Sequence, residues 1–277
     1  MFPFIRIPSD AVSDISTFQL CAILGVLAFL LSVIFLLRKS DNFSNEVYYI
    51  VPKLLIALGL GFGGAVLFDA VAHYAESGVF KYTGISYYGG FIVGLTSLFV
   101  MLKVFRKTTR SVKEWLNFIT VPYISFHCIA RFGCFLGGCC YGVETDGPFG
   151  LLFPDVPESG IYHYGHKVVP TNLIEALGLL VIGVILFFLV KKNRFVTFVF
   201  AYAVMRFIIE FWRGDDRGAY VGALSPSQFV SVLIVAAMTV WLLVSYFIEI
   251  SKFKKRVAVY DNRDGREEAA GSAADEG

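Results

Sequence analysis

Read as alternating apolar and polar positions, the chain consists of seven long apolar runs joined by polar connections. They extend over approximately Thr17–Leu37, Tyr49–His73, Ile85–Phe105, Trp115–Phe135, Asn172–Val190, Phe195–Trp212 and Pro226–Ile250. A hydrocarbon core ~30 Å thick takes a helix of about 20 apolar residues, so each run is predicted to span a membrane. The expected fold class is an all-α integral membrane protein with seven transmembrane helices. Composition agrees, with 56% hydrophobic residues, 17% charged residues and a mean hydropathy of +0.67.

Lysine and arginine set the expected orientation. One set of alternating connections carries sixteen basic residues, among them Arg38, Lys39, Arg110, Lys113, Lys191, Lys192 and Arg194. The other set carries five: Arg6, Lys81, Lys167, Arg213 and Arg217. Basic residues accumulate in short cytoplasmic loops, which places the N-terminus outside and the C-terminus in the cytoplasm. The first run lacks a basic n-region and is followed by Arg38-Lys39, so it reads as a retained anchor and not a cleaved signal. One membrane domain is expected over residues 1–256, with a disordered cytoplasmic tail over residues 257–277 that is rich in Gly, Ala, Asp and Glu. A net charge of +2, with the basic residues accounted for by topology, argues against nucleic acid as a partner.

Ionisable residues inside such runs cost roughly 2.5–3.5 kcal/mol each on insertion scales and persist where they line a polar, working cavity. Arg131, Glu175, Arg206 and Glu210 stand in or at the mouth of the runs. The topology brings them towards the outer leaflet together with Tyr88, Asp69 and His73. Tyr202, Arg206 and Glu210 are spaced i, i+4, i+8 on one helix face, to which Arg213 returns. An Arg206–Glu210 pair would neutralise a buried charge and do no more. A second arginine, Arg131, from another helix points further, because guanidinium groups match phosphate bidentately. A cavity holding both suits a phospholipid headgroup.

Gly59 and Gly63, and Gly90 and Gly94, have the small-xxx-small spacing of close helix contacts. Packing is the reading for Gly59 and Gly63. Gly89-Gly90 follows Tyr87-Tyr88 at the outer mouth, where a bare backbone could approach a ligand. Cys21 and Cys128 read as small packing residues. Cys134-x4-Cys139-Cys140 faces an oxidising space and reads as a disulfide from Cys134 to Cys139 or Cys140, or as small-residue packing. The spacing matches no Cys-x2-Cys zinc pattern, and His127 reads as a buried donor and not a ligand. No metal and no cofactor is expected.

Four stretches carry a resemblance to the prolipoprotein diacylglyceryl transferases. They are Gly84-Ile-Ser-Tyr-Tyr-Gly-Gly90, the run from Ala130, Arg131, Phe132, Gly133 and Cys134 to Gly142, Pro170-Thr-Asn-Leu-Ile-Glu175, and Tyr202-Ala-Val-Met-Arg-Phe-Ile-Ile-Glu-Phe-Trp-Arg213. Leu224-Ser-Pro-Ser-Gln228 follows the last of them. The resemblance implies a multi-pass enzyme of the bacterial plasma (inner) membrane. It would move the diacylglyceryl group of phosphatidylglycerol to the lipobox cysteine of a prolipoprotein signal peptide and release glycerol phosphate. Arg131 matches the family's phospholipid-binding arginine, and Arg206 a second, essential arginine. The implied site has Arg206, Tyr88 and Glu210 in catalysis and Arg131, Tyr202, Gly89, Gly90 and Glu175 in substrate binding.

The chain departs from the family pattern where protons are handled. Tyr88 stands at the histidine of His-Gly-Gly, and Cys134, Gly137 and Cys139 stand where Asn, Asn and Glu are usual. Asp69 with His73, or the two arginines acting on the incoming thiol, are the replacements to consider. Other readings of the same residues are a relative that uses another acceptor or only binds phospholipid, and a seven-helix receptor or transporter for an anionic ligand.

Overall fold

The computed structural model describes residues 4–5, 15–78, 86–105, 110–156, 163–214 and 224–275, with the side chains of 4–5, 15, 72–73, 75–77, 88, 226, 249, 252 and 254 onward outside that description. Its helices are α1 (Thr17–Leu37), α2 (Phe43–Ser77), α3 (Tyr87–Val104), α4 (Val112–Leu136), α5 (Thr171–Phe188), α6 (Arg194–Ile209) and α7 (Pro226–Asp275), with a 3-10 turn at Glu210–Trp212 after α6. Six of them contain stretches long and apolar enough to cross a membrane, and α3 contributes a shorter apolar stretch, Gly89–Val104. The chain is an all-α integral membrane protein. Exposed Leu24, Leu31, Phe35, Phe62, Phe188 and Phe247 show large apolar faces turned outward, as a hydrocarbon solvent requires.

Local sequence sets several helix starts. Ser16 and Gln19 form a capping box at α1, in which each side chain accepts the other's backbone N–H at 3.2 and 3.3 Å. Ser111 and Glu114 do the same at α4. At α7, Gln228 N–H donates to Ser225 Oγ at 3.2 Å and Ser225 N–H to Gln228 Oε1 at 3.1 Å. Such reciprocal bonds satisfy donors that a helix start otherwise leaves orphaned. The Ser-Pro-Ser-Gln run is therefore first a helix start. α7 is helical from Pro226 through Asp275.

α4 is the centre of the bundle, packed on α1, α5 and α6, while α2 pairs with α3 and α6 with α7. One apolar core joins α1, α2, α3 and the start of α4 through Leu37, Ile50, Leu54, Leu102 and Trp115. A second joins α4, α5 and α6 through Ile124, Leu179, Leu186 and Phe198.

The α2–α3 contact is closer than side chains would allow. A Cβ at Gly64 would lie 2.6 Å from Val93 Cβ, and one at Gly89 would lie 2.7 Å from Gly64 O and clash with Phe68. Gly61, Gly90 and Gly94 meet in the same seam. The packing expected of Gly59 and Gly63 is not found, for a Cβ at either would meet nothing within 4 Å. The sequence spacing was right in kind and the helix register differs, because the partner helix selects which small residues face it.

Basic residues gather at one end of the bundle. Arg110 donates from Nε and Nη2 to the carboxylate of Glu46 at 2.6 and 3.0 Å, tying the start of α4 to α2. Lys53 Nζ turns to Tyr49 O at 3.0 Å and sits over the Tyr49 ring. At the opposite end the loop after α4 is braided with two short strands, Leu151–Leu152 and Lys167–Val168, and the residues after α6. Gly142 N–H donates to Val169 O at 2.8 Å, Val143 N–H to Trp212 O at 2.9 Å, and Gly214 N–H to Tyr141 O at 3.3 Å.

Candidate active site

Three helices supply an ionic centre beneath that braided cap. α4 contributes His127 and Arg131, four residues apart and on one face. α5 contributes Glu175 from its second turn, and α6 with the 3-10 turn contributes Tyr202, Arg206 and Glu210. Glu175 is completely buried, at 0% exposure. Its Oε1 lies 3.1 Å from Arg131 Nε and accepts the Tyr202 hydroxyl at 2.8 Å, while Oε2 faces Arg206 Nη1 at 3.8 Å. One carboxylate thus stands between two guanidinium groups from different helices.

The expected i, i+4 pair forms, with Arg206 Nη2 at 2.6 Å from Glu210 Oε2. The same nitrogen donates to Ser227 Oγ at 3.2 Å, and Ser225 Oγ donates to Glu210 Oε1 at 2.8 Å. The two serines tie the pair to the start of α7. Two carboxylates balance two cations, the arrangement that lets buried charges persist. It is incompletely satisfied: Arg206 Nη1 and Glu175 Oε2 are buried without a hydrogen bond among the described residues. Buried donors normally find partners, so Arg206 retains hydrogen-bonding capacity towards an incoming anionic oxygen.

His127 belongs to this centre, although sequence reasoning left it outside the site. It is 2% exposed. Its Nε2 accepts from Arg131 Nε at 3.4 Å, and its Nδ1 lies 3.4 Å from the Tyr87 hydroxyl, itself 3.0 Å from the Tyr123 hydroxyl. The imidazole stacks on Tyr87 at 4.7 Å, and the Arg131 guanidinium lies over the same ring at 5.6 Å. The signal that could have found His127 is its place one helical turn before Arg131.

Of the other expected residues, Tyr202 takes its place beside Glu175. The side chains of Tyr88 and His73 lie outside the described residues, and Tyr87 is the α3 tyrosine whose contacts reach the centre. Gly89 and Gly90 turn to α2, where their lack of a side chain admits Gly64, Phe68 and Ala65.

Beside the ionic centre the chain leaves α4 in a tight turn. Gly138 and Cys140 adopt left-handed φ of 74° and 58°; the second is unusual for a residue with a Cβ. Cys139 N–H donates to Cys134 O at 3.1 Å, Asn172 Nδ2 to Cys139 O at 2.8 Å, and Thr171 Oγ1 to Cys140 O at 3.0 Å. The turn brings the Sγ atoms of Cys134, Cys139 and Cys140 within 4.8 Å of one another. All five cysteines are free thiols, so of the two sequence readings of the cluster, a disulfide or small-residue packing, the disulfide is not formed. The neighbouring Cys134 and Cys139 thiols, with Arg213 and Arg131, hold the Cys140 thiol well below its ordinary range, and the Cys139 thiol donates to Cys134 O at 3.7 Å.

An open cavity of about 460 Å³ lies at the opposite, basic end, lined by Arg110, Lys113, Lys191, Lys192 and Arg194 among others. It is far along α4 from Arg131, and Arg110 and Arg194 there are engaged by Glu46 and by the Val190 carbonyl. The buried ionic centre lies at the other end.

Among curated proteins, the chain is 30% identical over 178 residues to the phosphatidylglycerol–prolipoprotein diacylglyceryl transferase of Clostridium tetani, covering 62% of this chain and 66% of that protein. It is 36% identical over 110 residues to transferase 2 of that name from Clostridium perfringens, covering 38% of this chain and 41% of that protein. A longer match, to the protein of the same name from Finegoldia magna, is 29% identical over 265 residues and covers 90% and 96% of the two chains. The first two matches thus span less than two thirds of the relatives' lengths. A sequence profile named "Prolipoprotein diacylglyceryl transferase" matches residues 9–244, most of the chain. The chain, with its two buried arginines on one carboxylate, belongs to the prolipoprotein diacylglyceryl transferase family.

Proposed function

We propose that the protein transfers the diacylglyceryl group of phosphatidylglycerol to the lipobox cysteine of a prolipoprotein signal peptide, forming a thioether and releasing glycerol phosphate. The observation that carries this reading is the Arg131–Glu175–Arg206 centre, in which two guanidinium groups are held on one buried carboxylate. In the reaction the acceptor sulfur uses a lone pair to form a C–S bond to the glyceryl carbon. The C–O electron pair departs with the phosphate. Charge growing on that leaving oxygen is met by cations already fixed in place, which need not reorganise as the bond breaks.

Arg206, whose Nη1 makes no hydrogen bond among the described residues, acts on the leaving phosphate, and Arg131 holds the headgroup. Glu175 keeps the two arginines apart and oriented. Glu210, Ser225 and Ser227 fix Arg206, while His127 and Tyr202 fix Arg131 and Glu175. Gly89 and Gly90 serve the site by letting α3 approach α2, which sets the depth of Tyr87. The enzyme works as a multi-pass protein of a bacterial plasma membrane, with its basic end in the cytoplasm and the ionic centre towards the outer leaflet.

The test is transfer of labelled diacylglyceryl from phosphatidylglycerol to a lipobox peptide by the purified protein. Arg206→Ala is expected to lower kcat by at least ~100-fold, the loss typical of one removed oxyanion donor. Full activity in that variant refutes the phosphate argument.

A further inference from the structure

No described group in the ionic centre is placed to take the proton of an incoming thiol. Glu175 and Glu210 are committed to arginines, and His127 is engaged on both nitrogens, by Arg131 and Tyr87. Next to this centre stand three thiols that the phosphate chemistry does not use. We propose that Cys134, Cys139 and Cys140 form a three-thiolate site for a zinc ion, whose fourth coordination position takes the acceptor cysteine and delivers it as a thiolate. The site itself follows from the thiol geometry alone; its role in delivering the acceptor rests on the transferase reading.

The geometry is that of a set of ligands assembled in advance. Tetrahedral Zn–S bonds of about 2.3 Å place sulfurs roughly 3.8 Å apart. The three Sγ atoms already lie within 4.8 Å of one another, so small side-chain shifts close the site. The backbone is held to this purpose by the left-handed Cys140 at φ 58° and by Asn172 and Thr171, buried side chains that pin the carbonyls of Cys139 and Cys140. A non-glycine residue in that conformation is strained and persists only where its surroundings over-determine it.

Zinc with three thiolates carries one net negative charge. Arg131, one turn before Cys134 on α4, and Arg213, paired through the backbone with Gly142 two residues after Cys140, bring positive charge to the same place. Cys134 is buried whereas Cys139 and Cys140 are half-buried. Catalytic zinc sites have this form, three protein ligands and one exchangeable position.

A thiol that coordinates such an ion is deprotonated outright, its proton passing to water. The zinc-bound sulfur then donates a lone pair to the glyceryl carbon, and the C–O pair leaves on the phosphate held by Arg131 and Arg206. The neutral thioether is a poor ligand and departs, and the zinc keeps its oxidation state throughout. Metal coordination thus supplies the activated nucleophile next to the cations that receive the leaving group.

The experiment uses the full chain in detergent, reduced with a phosphine and kept anaerobic. Zinc is titrated against a chromophoric chelator, and cobalt(II) is used as a spectroscopic substitute. One ion per chain is expected, with a thiolate-to-cobalt absorption band that shifts when a lipobox peptide is added. Cys134→Ser, Cys139→Ser and Cys140→Ser should each weaken binding by at least ~100-fold, since even second-sphere changes cost 10–100-fold, while Cys21→Ser and Cys128→Ser leave it unchanged. Binding that survives all three substitutions means an adventitious ion only and overturns the site. Zinc-stripped protein should lose at least ~100-fold in transfer and regain it with zinc. Full transfer by stripped protein, or by a form with Cys134 disulfide-bonded to Cys139 or Cys140, overturns the inference and leaves the transferase reading standing. No transfer with or without zinc, while the cobalt band still answers to peptide, upholds the site and overturns the transferase reading.

Discussion

Glu175→Gln isolates what holds the centre together. Glutamine keeps the shape of the side chain and an amide oxygen for the Tyr202 hydroxyl, but removes the charge between Arg131 and Arg206. At an effective dielectric near 20, unit charges 3.1 Å apart attract by about 5 kcal/mol and those 3.8 Å apart by about 4 kcal/mol. Desolvation offsets much of this in the intact centre. Removing one partner from a buried pair nevertheless costs about 3–5 kcal/mol, because the remaining charge stays buried and uncompensated. At roughly 2–4 °C per kcal/mol for a chain of this size, the expected loss in Tm is about 6–20 °C. The assay is thermal unfolding of the purified protein in a neutral detergent, repeated with added phosphatidylglycerol. The lipid should raise the Tm of the variant more than that of the parent, since its phosphate can replace the lost carboxylate between the arginines. A Tm within about 2 °C of the parent refutes the claim that Glu175 holds the two arginines.

Other residues give independent tests. His127→Phe keeps the stack on Tyr87 but removes the acceptor for Arg131 Nε; a lost hydrogen bond to a charged group, about 1.5–3 kcal/mol, should raise KM for phosphatidylglycerol about tenfold or more, and an unchanged KM excludes the positioning role. Gly64→Ala and Gly63→Ala should move Tm in opposite directions. The first drives a methyl into Val93, an overpacking cost of about 1–3 kcal/mol, whereas the second meets open space and gains about 0.5–1 kcal/mol in helix propensity. Burial pushes the His163 imidazolium down, with Asp155 and Glu144 opposing. A base whose folded pKa is lowered contributes its full stability above its unfolded value near 6.5 and loses it as pH falls through that value towards the folded one. Limited proteolysis of the cap should therefore accelerate between about pH 7 and 5, and His163→Phe should flatten that dependence.

Much of the architecture was legible because a bilayer imposes a simple rule. Apolar runs of fixed length become helices, and the seven expected spans coincide with α1 to α7 to within a few residues at most ends. Arg131, Glu175, Arg206 and Glu210 stood out for a related reason: an ionisable group in such a run is too costly to be there idly. Their i, i+4 spacings also announced the face shared by Tyr202, Arg206 and Glu210.

What lay beyond the sequence was every relation between segments remote from one another. Periodicity states that a helix has small residues, but the partner helix decides which of them face it, so Gly61 and Gly64 form the seam and Gly59 and Gly63 do not. The same rotation puts Tyr87 against His127. His127 looked like an ordinary buried histidine until α3 and α5 placed Tyr87 and Glu175 around it. The cysteines show the limit most clearly. Their spacing along the chain matches no zinc pattern, and only the left-handed turn at Gly138 and Cys140, pinned by Asn172 and Thr171 from α5, brings three thiols together. Local chemistry along one chain determines which helices form and which residues are anomalous; contacts between helices, set by packing and hydrogen bonds across long sequence separations, decide which of those residues meet.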